Sequence, residues 1–98
     1  MVQEIEMVLV KVPNPRMIDG VRNYLEKGRA PGDFLLAVIT NDLKRACERA
    51  DLHNQHLLYD WVFFFYNYAP LECWGNAEKV DAWMRDGGYI GRHGEDDD

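Results

Sequence analysis

A run of twelve residues, LLYDWVFFFYNY at 57–68, sets the strongest limit on what this chain can fold into. Wound as a helix it is apolar on nearly every side, and such a helix lies at the centre of a fold or at a subunit interface. The whole chain has 98 residues, enough for one domain with a single core. A domain that small offers few neighbours to cover both faces of the run, so self-association is expected. The helical pattern starts at Asp51 as a cap, follows Leu52, Leu58, Tyr59, Val62, Phe63 and Tyr66, and is closed by Pro70.

Helical spacing recurs along most of the chain. Asn14 followed by Pro15 reads as a helix start, Met17, Val21, Tyr24 and Leu25 share a face, and Gly28 is placed to stop the helix. After a loop at residues 29–32, Asp33 can cap a second helix whose stripe begins with Phe34, Leu35, Val38 and Ile39. The stripe is interrupted at Thr40-Asn41-Asp42 and resumes with Leu43, Ala46, Cys47 and Ala50. Asn76 caps a last helix with Val80, Trp83 and Met84 on one side, ended by Gly87-Gly88. From Tyr89 onward nothing in the pattern would hold the chain in order. Residues 2–12 are rich in β-branched side chains, with Ile5, Met7 and Leu9 alternating against Val8, Val10 and Val12. They read as a strand, which would need a second chain to pair with or would lie extended against the helices. The expected fold is all-α: a small four- to five-helix bundle at residues 1–90 with a short N-terminal strand, then an acidic tail at 91–98.

Charge removes some function classes. The net charge is −6, but Glu95, Asp96, Asp97 and Asp98 carry four of the negative charges, and the remainder holds 11 basic against 13 acidic residues. Only Lys44, Arg45 and Arg49 cluster, too few for binding a phosphate backbone, so nucleic acid is not an expected partner. The tail reads as a solvated, disordered end. No stretch approaches the roughly 20 apolar residues of a membrane span. Glu4 and Glu6 interrupt any signal-peptide pattern, so an intracellular protein is expected. Cys47 and Cys73 suit a reducing compartment, and with His53 and His56 they match no common zinc spacing; Cys47, on an apolar stripe, is expected to be a small buried thiol. Neither metal nor cofactor is expected.

Three polar constellations stand out. Asn41 and Asp42 fall on the side of Val38 and Ala46 if the second helix is continuous. They either break the helix and cap its second half, form a satisfied buried pair, or anchor a ligand in an apolar pocket. In Asp51-Leu52-His53-Asn54-Gln55-His56, Asp51 is a cap, while His53, Asn54 and His56 sit in the first turns where free backbone N–H groups can meet an anion. No nucleophile accompanies the imidazoles in a catalytic arrangement, so no enzyme is expected. YNYAPLECWGN, residues 66–76, offers Tyr, Trp and Asn suited to stacking on a planar ligand or anchoring a protein, or else a loop plugged by Trp74. Arg22, Arg29, Arg45 and Arg49 can supply bidentate contacts to phosphate.

Taken in order, GDFLLAVITNDLKRACERADLHN, FFYNYAP and CWGNAEKVDAW resemble a family of small proteins encoded in tailed-phage and prophage genomes, over residues 24–83. The resemblance implies a phage protein in a host cytoplasm and carries over no catalytic residue. Small proteins in that setting often blunt host defences, by binding a defence protein or sequestering its signalling nucleotide. The expectation is therefore an oligomeric, non-enzymatic binding protein that captures a nucleotide-type signal. Trp74 would stack on the base, Arg45 would hold phosphate, and Asn41, Asp42, Asn54 and Asn67 would read base or ribose edges. The alternatives are an inhibitor that binds a CRISPR-type defence complex through acidic and aromatic surface, and a structural or regulatory phage protein.

Overall fold

The computed structural model describes residues 2–94, and every regular element among them is helical. The helices are α1 (Val2–Leu9), α2 (Ile18–Lys27), α3 (Asp33–Ile39), α4 (Leu43–Arg49), α5 (Leu52–Gln55), α6 (Leu58–Tyr68), α7 (Ala77–Arg85) and α8 (Gly88–His93). Single 3-10 turns at Pro15–Met17 and Leu71–Cys73 precede α2 and α7. The all-α expectation holds. The count rises because the second and third expected helices are each broken in two, and because helices form at both ends of the described chain.

The turn before α2 starts as its sequence suggests: Asn14 is extended and its side-chain oxygen accepts the Arg16 N–H at 3.1 Å. Gly28, at φ 70°, closes α2, and Val21, Tyr24 and Leu25 are buried on one face. The polar interruption at 40–42 is a helix break. Asn41 takes a left-handed backbone at φ 65°, its N–H donates to the Val38 carbonyl at 3.1 Å, and the Asp42 N–H donates to the Ala37 carbonyl at 2.8 Å. That paired closure is the Schellman motif with asparagine in the usual place of glycine. The Asp42 carboxylate then accepts the Arg45 N–H at 3.2 Å and opens α4. Asp51 and Asn76 cap α5 and α7 as expected, whereas Asp33 is the first helical residue behind Gly32.

Three expectations need correction. Residues 2–9 are a helix rather than a strand, with Ile5, Leu9 and Val12 buried and Met7 and Val10 exposed. The i, i+4, i+7 spacing of the first three outweighs β-branched propensity, which is a weak guide where no strand partner exists. The Arg22 guanidinium of α2 donates to both carboxylate oxygens of Glu6, fixing α1 against α2 and holding the Glu6 carboxyl below its ordinary pKa. Cys47 is exposed, because the break at 40–42 resets the helical phase and leaves only Ala46 and Ala50 of that stripe inside. The chain past Tyr89 is also held: α8 packs on α2, so the boundary expected at residue 90 falls within a helix. The acidic residues 95–98 lie outside the described residues.

The dock of α8 depends on two glycines meeting backbone to backbone. A Cβ on Gly28 would stand 2.6 Å from the Gly88 nitrogen, and one on Gly88 would stand 2.5 Å from the Gly28 nitrogen. Both also have positive φ, at 70° and 71°, which other residues seldom adopt. Arg92 of α8 then lies over Trp83, its guanidinium carbon 4.9 Å from the ring centroid.

The core gathers Tyr24, Phe34, Trp61, Phe64, Phe65 and Trp83, with Trp61 edge-on to Phe34 and Phe64. Its polar atoms are paired. The Trp83 indole N–H donates to the Tyr24 carbonyl at 2.9 Å, and the Tyr24 hydroxyl donates to the Cys73 carbonyl at 2.5 Å. Burial raises the Tyr24 phenol well above its ordinary value, and burial with the Glu72 charge raises the Cys73 thiol from 9.0 to about 12. A second polar centre is Asn54, 4% exposed, whose side-chain oxygen accepts from the Asn14 amide and from the Trp61 indole, each at 3.1 Å. Two lone pairs meet two donors, so the oxygen is fully used.

Candidate functional site

Helix α6 divides its aromatic residues between two opposite faces. Trp61, Phe64 and Phe65 point inward and are fully buried. Tyr59, Val62, Phe63 and Tyr66 point outward, at 74%, 43%, 46% and 71% exposure. Their spacing of three, four and seven places them in one line along the helix surface. The sequence pattern runs through these same four residues, and the structure turns that stripe to the outside. The Tyr59 and Phe63 rings touch at 6.1 Å, and Phe63 continues to Tyr68 at 6.4 Å. A row of large aromatic side chains held on a rigid helix is the composition that dominates binding energy at protein interfaces.

Each edge of the row has a distinct border. On one edge lies a groove of about 260 Å³ formed by Lys11, Pro13, Asp60, Phe63, Phe64 and Tyr68. The Lys11 ammonium lies 5.8 Å from the centre of the Tyr68 ring, within reach of a cation–π attraction. The other edge, beside Val62, meets the Asn41-Asp42 turn and the exposed Leu43 around a recess of only about 30 Å³. That recess has room for about one water molecule and none for a nucleotide.

The six residues expected to bind a ligand do not converge on one pocket. Asn41 and Asp42 are exposed at the helix break, and Arg45 is exposed beside them with its Nε 3.7 Å from the Asp42 carboxylate. Asn54 is turned into the core by Asn14 and Trp61. Asn67 is exposed on α6, its amide donating to the Phe63 carbonyl at 2.9 Å. Trp74 is half-buried, its ring 5.9 Å from that of Phe65, which is the plugged-loop arrangement. Of the Asp51 segment, His53 and His56 line an open cleft of about 500 Å³ with Arg16, Asp51 and Leu52, while Asp51 accepts the Asn54 N–H at 2.8 Å.

Among the described residues no three His, Cys, Asp or Glu side chains gather as a metal site requires, and no helix is long and apolar enough to cross a membrane. Compared with protein-family models, curated proteins and solved structures, the chain matches none of them. The outer row of α6 was within reach of the sequence: a helix apolar all round, in a domain with few elements to cover it, leaves one face uncovered.

Proposed function

We propose that this chain is a non-enzymatic binding protein whose activity depends on protein–protein contact at the outer face of α6. The single observation that carries the reading is the exposed line of Tyr59, Val62, Phe63 and Tyr66 on the helix that also forms the centre of the core. Tyrosine and phenylalanine offer large contact area for only two rotatable side-chain bonds, so such a face loses little entropy on binding, which suits recognition by surface. In the phage setting implied by the sequence resemblance, the target process is host antiviral defence, and the protein acts as an inhibitor of a defence complex in the host cytoplasm. The test is an infection assay in cells carrying such a defence, with phage yield as the readout. Expression of the protein should raise the yield, and Tyr66→Lys should cut that gain on the order of tenfold with the melting curve unchanged. A Tyr66→Lys variant as protective as the parent overturns the reading.

A second reading, capture of a nucleotide-type signal, is favoured by the open cleft of about 500 Å³ where Arg16, His53 and His56 come together beside Asp51 and Leu52. Native mass spectrometry with cyclic and ADP-ribose-type nucleotides decides it: a stoichiometric mass gain that Arg16→Ala removes supports capture, and no gain excludes it for the compounds tested.

A further inference from the structure

We infer that the groove between α6 and residues 11–13 receives an extended segment of a protein partner in which an acidic, an apolar and a basic residue occupy every second position. The inference rests on the reading that α6 makes protein contacts, and it adds the chemistry of the partner. Phe63 links the two, since it stands in the exposed row and also lines the groove.

The shape suits an extended chain. Asp60, Phe64 and Tyr68 line the groove at intervals of four residues, so it follows one side of α6 for about 12 Å. Spread over that length, a volume of about 260 Å³ leaves a trough roughly 5 Å across, close to the spacing of neighbouring strands. A helix, about 10–12 Å in diameter with its side chains, is too wide for it. Along an extended chain, side chains two residues apart point the same way, and three such positions cover about 13 Å.

The floor decides the middle residue. Phe64 is 1% exposed there, Pro13 is half-buried, and the Phe63 and Tyr68 ring centroids stand 6.4 Å apart. An apolar side chain set among them withdraws ring surface from water and strands no polar group.

Charge decides the ends. Lys11 and Asp60 both line the groove, yet among the described residues neither forms an ion pair with the other or with any third residue. Lys11 stands at the Tyr68 end, its ammonium 5.8 Å from the ring centre. Asp60 lies about two helical turns before Tyr68 on α6. A partner with an acid opposite Lys11 and a base opposite Asp60 satisfies both charges. One with the same charge at both ends meets a repulsion at one of them.

An NMR titration of the full chain with end-blocked pentapeptides gives the test, in about 0.15 M salt so that distant charges are screened. The probes are Glu-Ser-Leu-Ser-Arg, the same peptide with its charged ends exchanged, and two relatives with Glu or Arg at both ends. The tighter of the two mixed peptides should bind in the millimolar range, shift the amides of Lys11, Asp60 and Tyr68, and exceed either like-charged peptide by about threefold. Lys11→Glu should make the Arg-ended peptide the tightest, and Asp60→Lys the Glu-ended one, with circular dichroism unchanged. Replacing the central Leu by Ser should weaken the mixed peptide about tenfold. No shift at those amides in 10 mM peptide (about the weakest binding such a seat should give) overturns the inference. So do four peptides of equal strength, or a ranking that the two variants leave unchanged. The infection assay reads the proposed function separately: protection that Tyr66→Lys abolishes, beside peptides bound without preference, defeats only this inference. The expected ranking in a protein that never protects defeats only the function.

Discussion

Asn41 and Asn54 carry the same side chain 13 residues apart, yet one closes a helix at the surface and the other joins three segments in the interior. Asn41 acts through its backbone, which tolerates the left-handed turn that ends α3, and its amide is exposed. Asn54 acts through one oxygen that receives Asn14 and Trp61, tying the turn before α2 and helix α6 to α5. Removing the first amide leaves water to take its place. Removing the second leaves two buried donors with none, and an unmade interior hydrogen bond costs far more than an exposed one. The position of a polar residue, and not its type, decides its worth.

This contrast can be broken from its strongest side downward. Asn54→Ala should destabilise by about 3 kcal/mol, on the order of 12–20 °C in Tm, because the Trp61 and Asn14 donors are left unpaired. A urea denaturation curve that moves by less than about 1 kcal/mol would show that water reaches the site. Alkaline pH probes the other interior centre. Below 9.0 the Cys73 thiol is protonated in both the folded and the unfolded chain. Between there and about 12 the unfolded chain releases the proton and the folded chain keeps it, so stability should fall as pH rises. The slope is at most about 1.4 kcal/mol per pH unit for each such group, and Cys73→Ala should flatten it whatever its effect on the absolute stability. At the surface break the effects shrink. Asp42→Ala should cost about 1 kcal/mol through loss of the α4 cap. Asn41→Gly should gain about 0.5 kcal/mol, glycine being better suited to positive φ, and a loss instead would show that the Asn41 amide contributes a contact of its own.

Local chemistry was legible and long-range placement was not. Asn14-Pro15 with Gly28 marks the ends of the segment containing α2, Asp51 and Asn76 are caps in both pattern and structure, and the break at 40–42 is one of the readings its residues permit. Each is decided within a few residues. The helix α1 was missed because its choice depends on docking to α2, with Glu6 meeting Arg22 across 16 residues. Asn54 was legible as a polar residue in a polar run, but its partner Asn14 is 40 residues away. In α6 the difficulty was of another kind. The stripe of Tyr59, Val62, Phe63 and Tyr66 is legible, but Trp61, Phe64 and Phe65 make an equally apolar stripe opposite it, so which of the two faces in depended on where the other helices lie. Asn67, Trp74 and Arg45 were grouped by chemistry alone, and nothing in their spacing requires them to meet.

The paired glycines of α2 and α8 have a consequence for how this chain can change. A suppressor usually restores room by shrinking the neighbour that clashes, but here each neighbour is already the smallest residue there is, and the opposing atoms are main chain. A side chain gained at Gly28 has no compensating substitution at Gly88, nor the reverse. The two positions form a mutational dead end, and sequence drift in the descendants of this protein must pass around them through other sites.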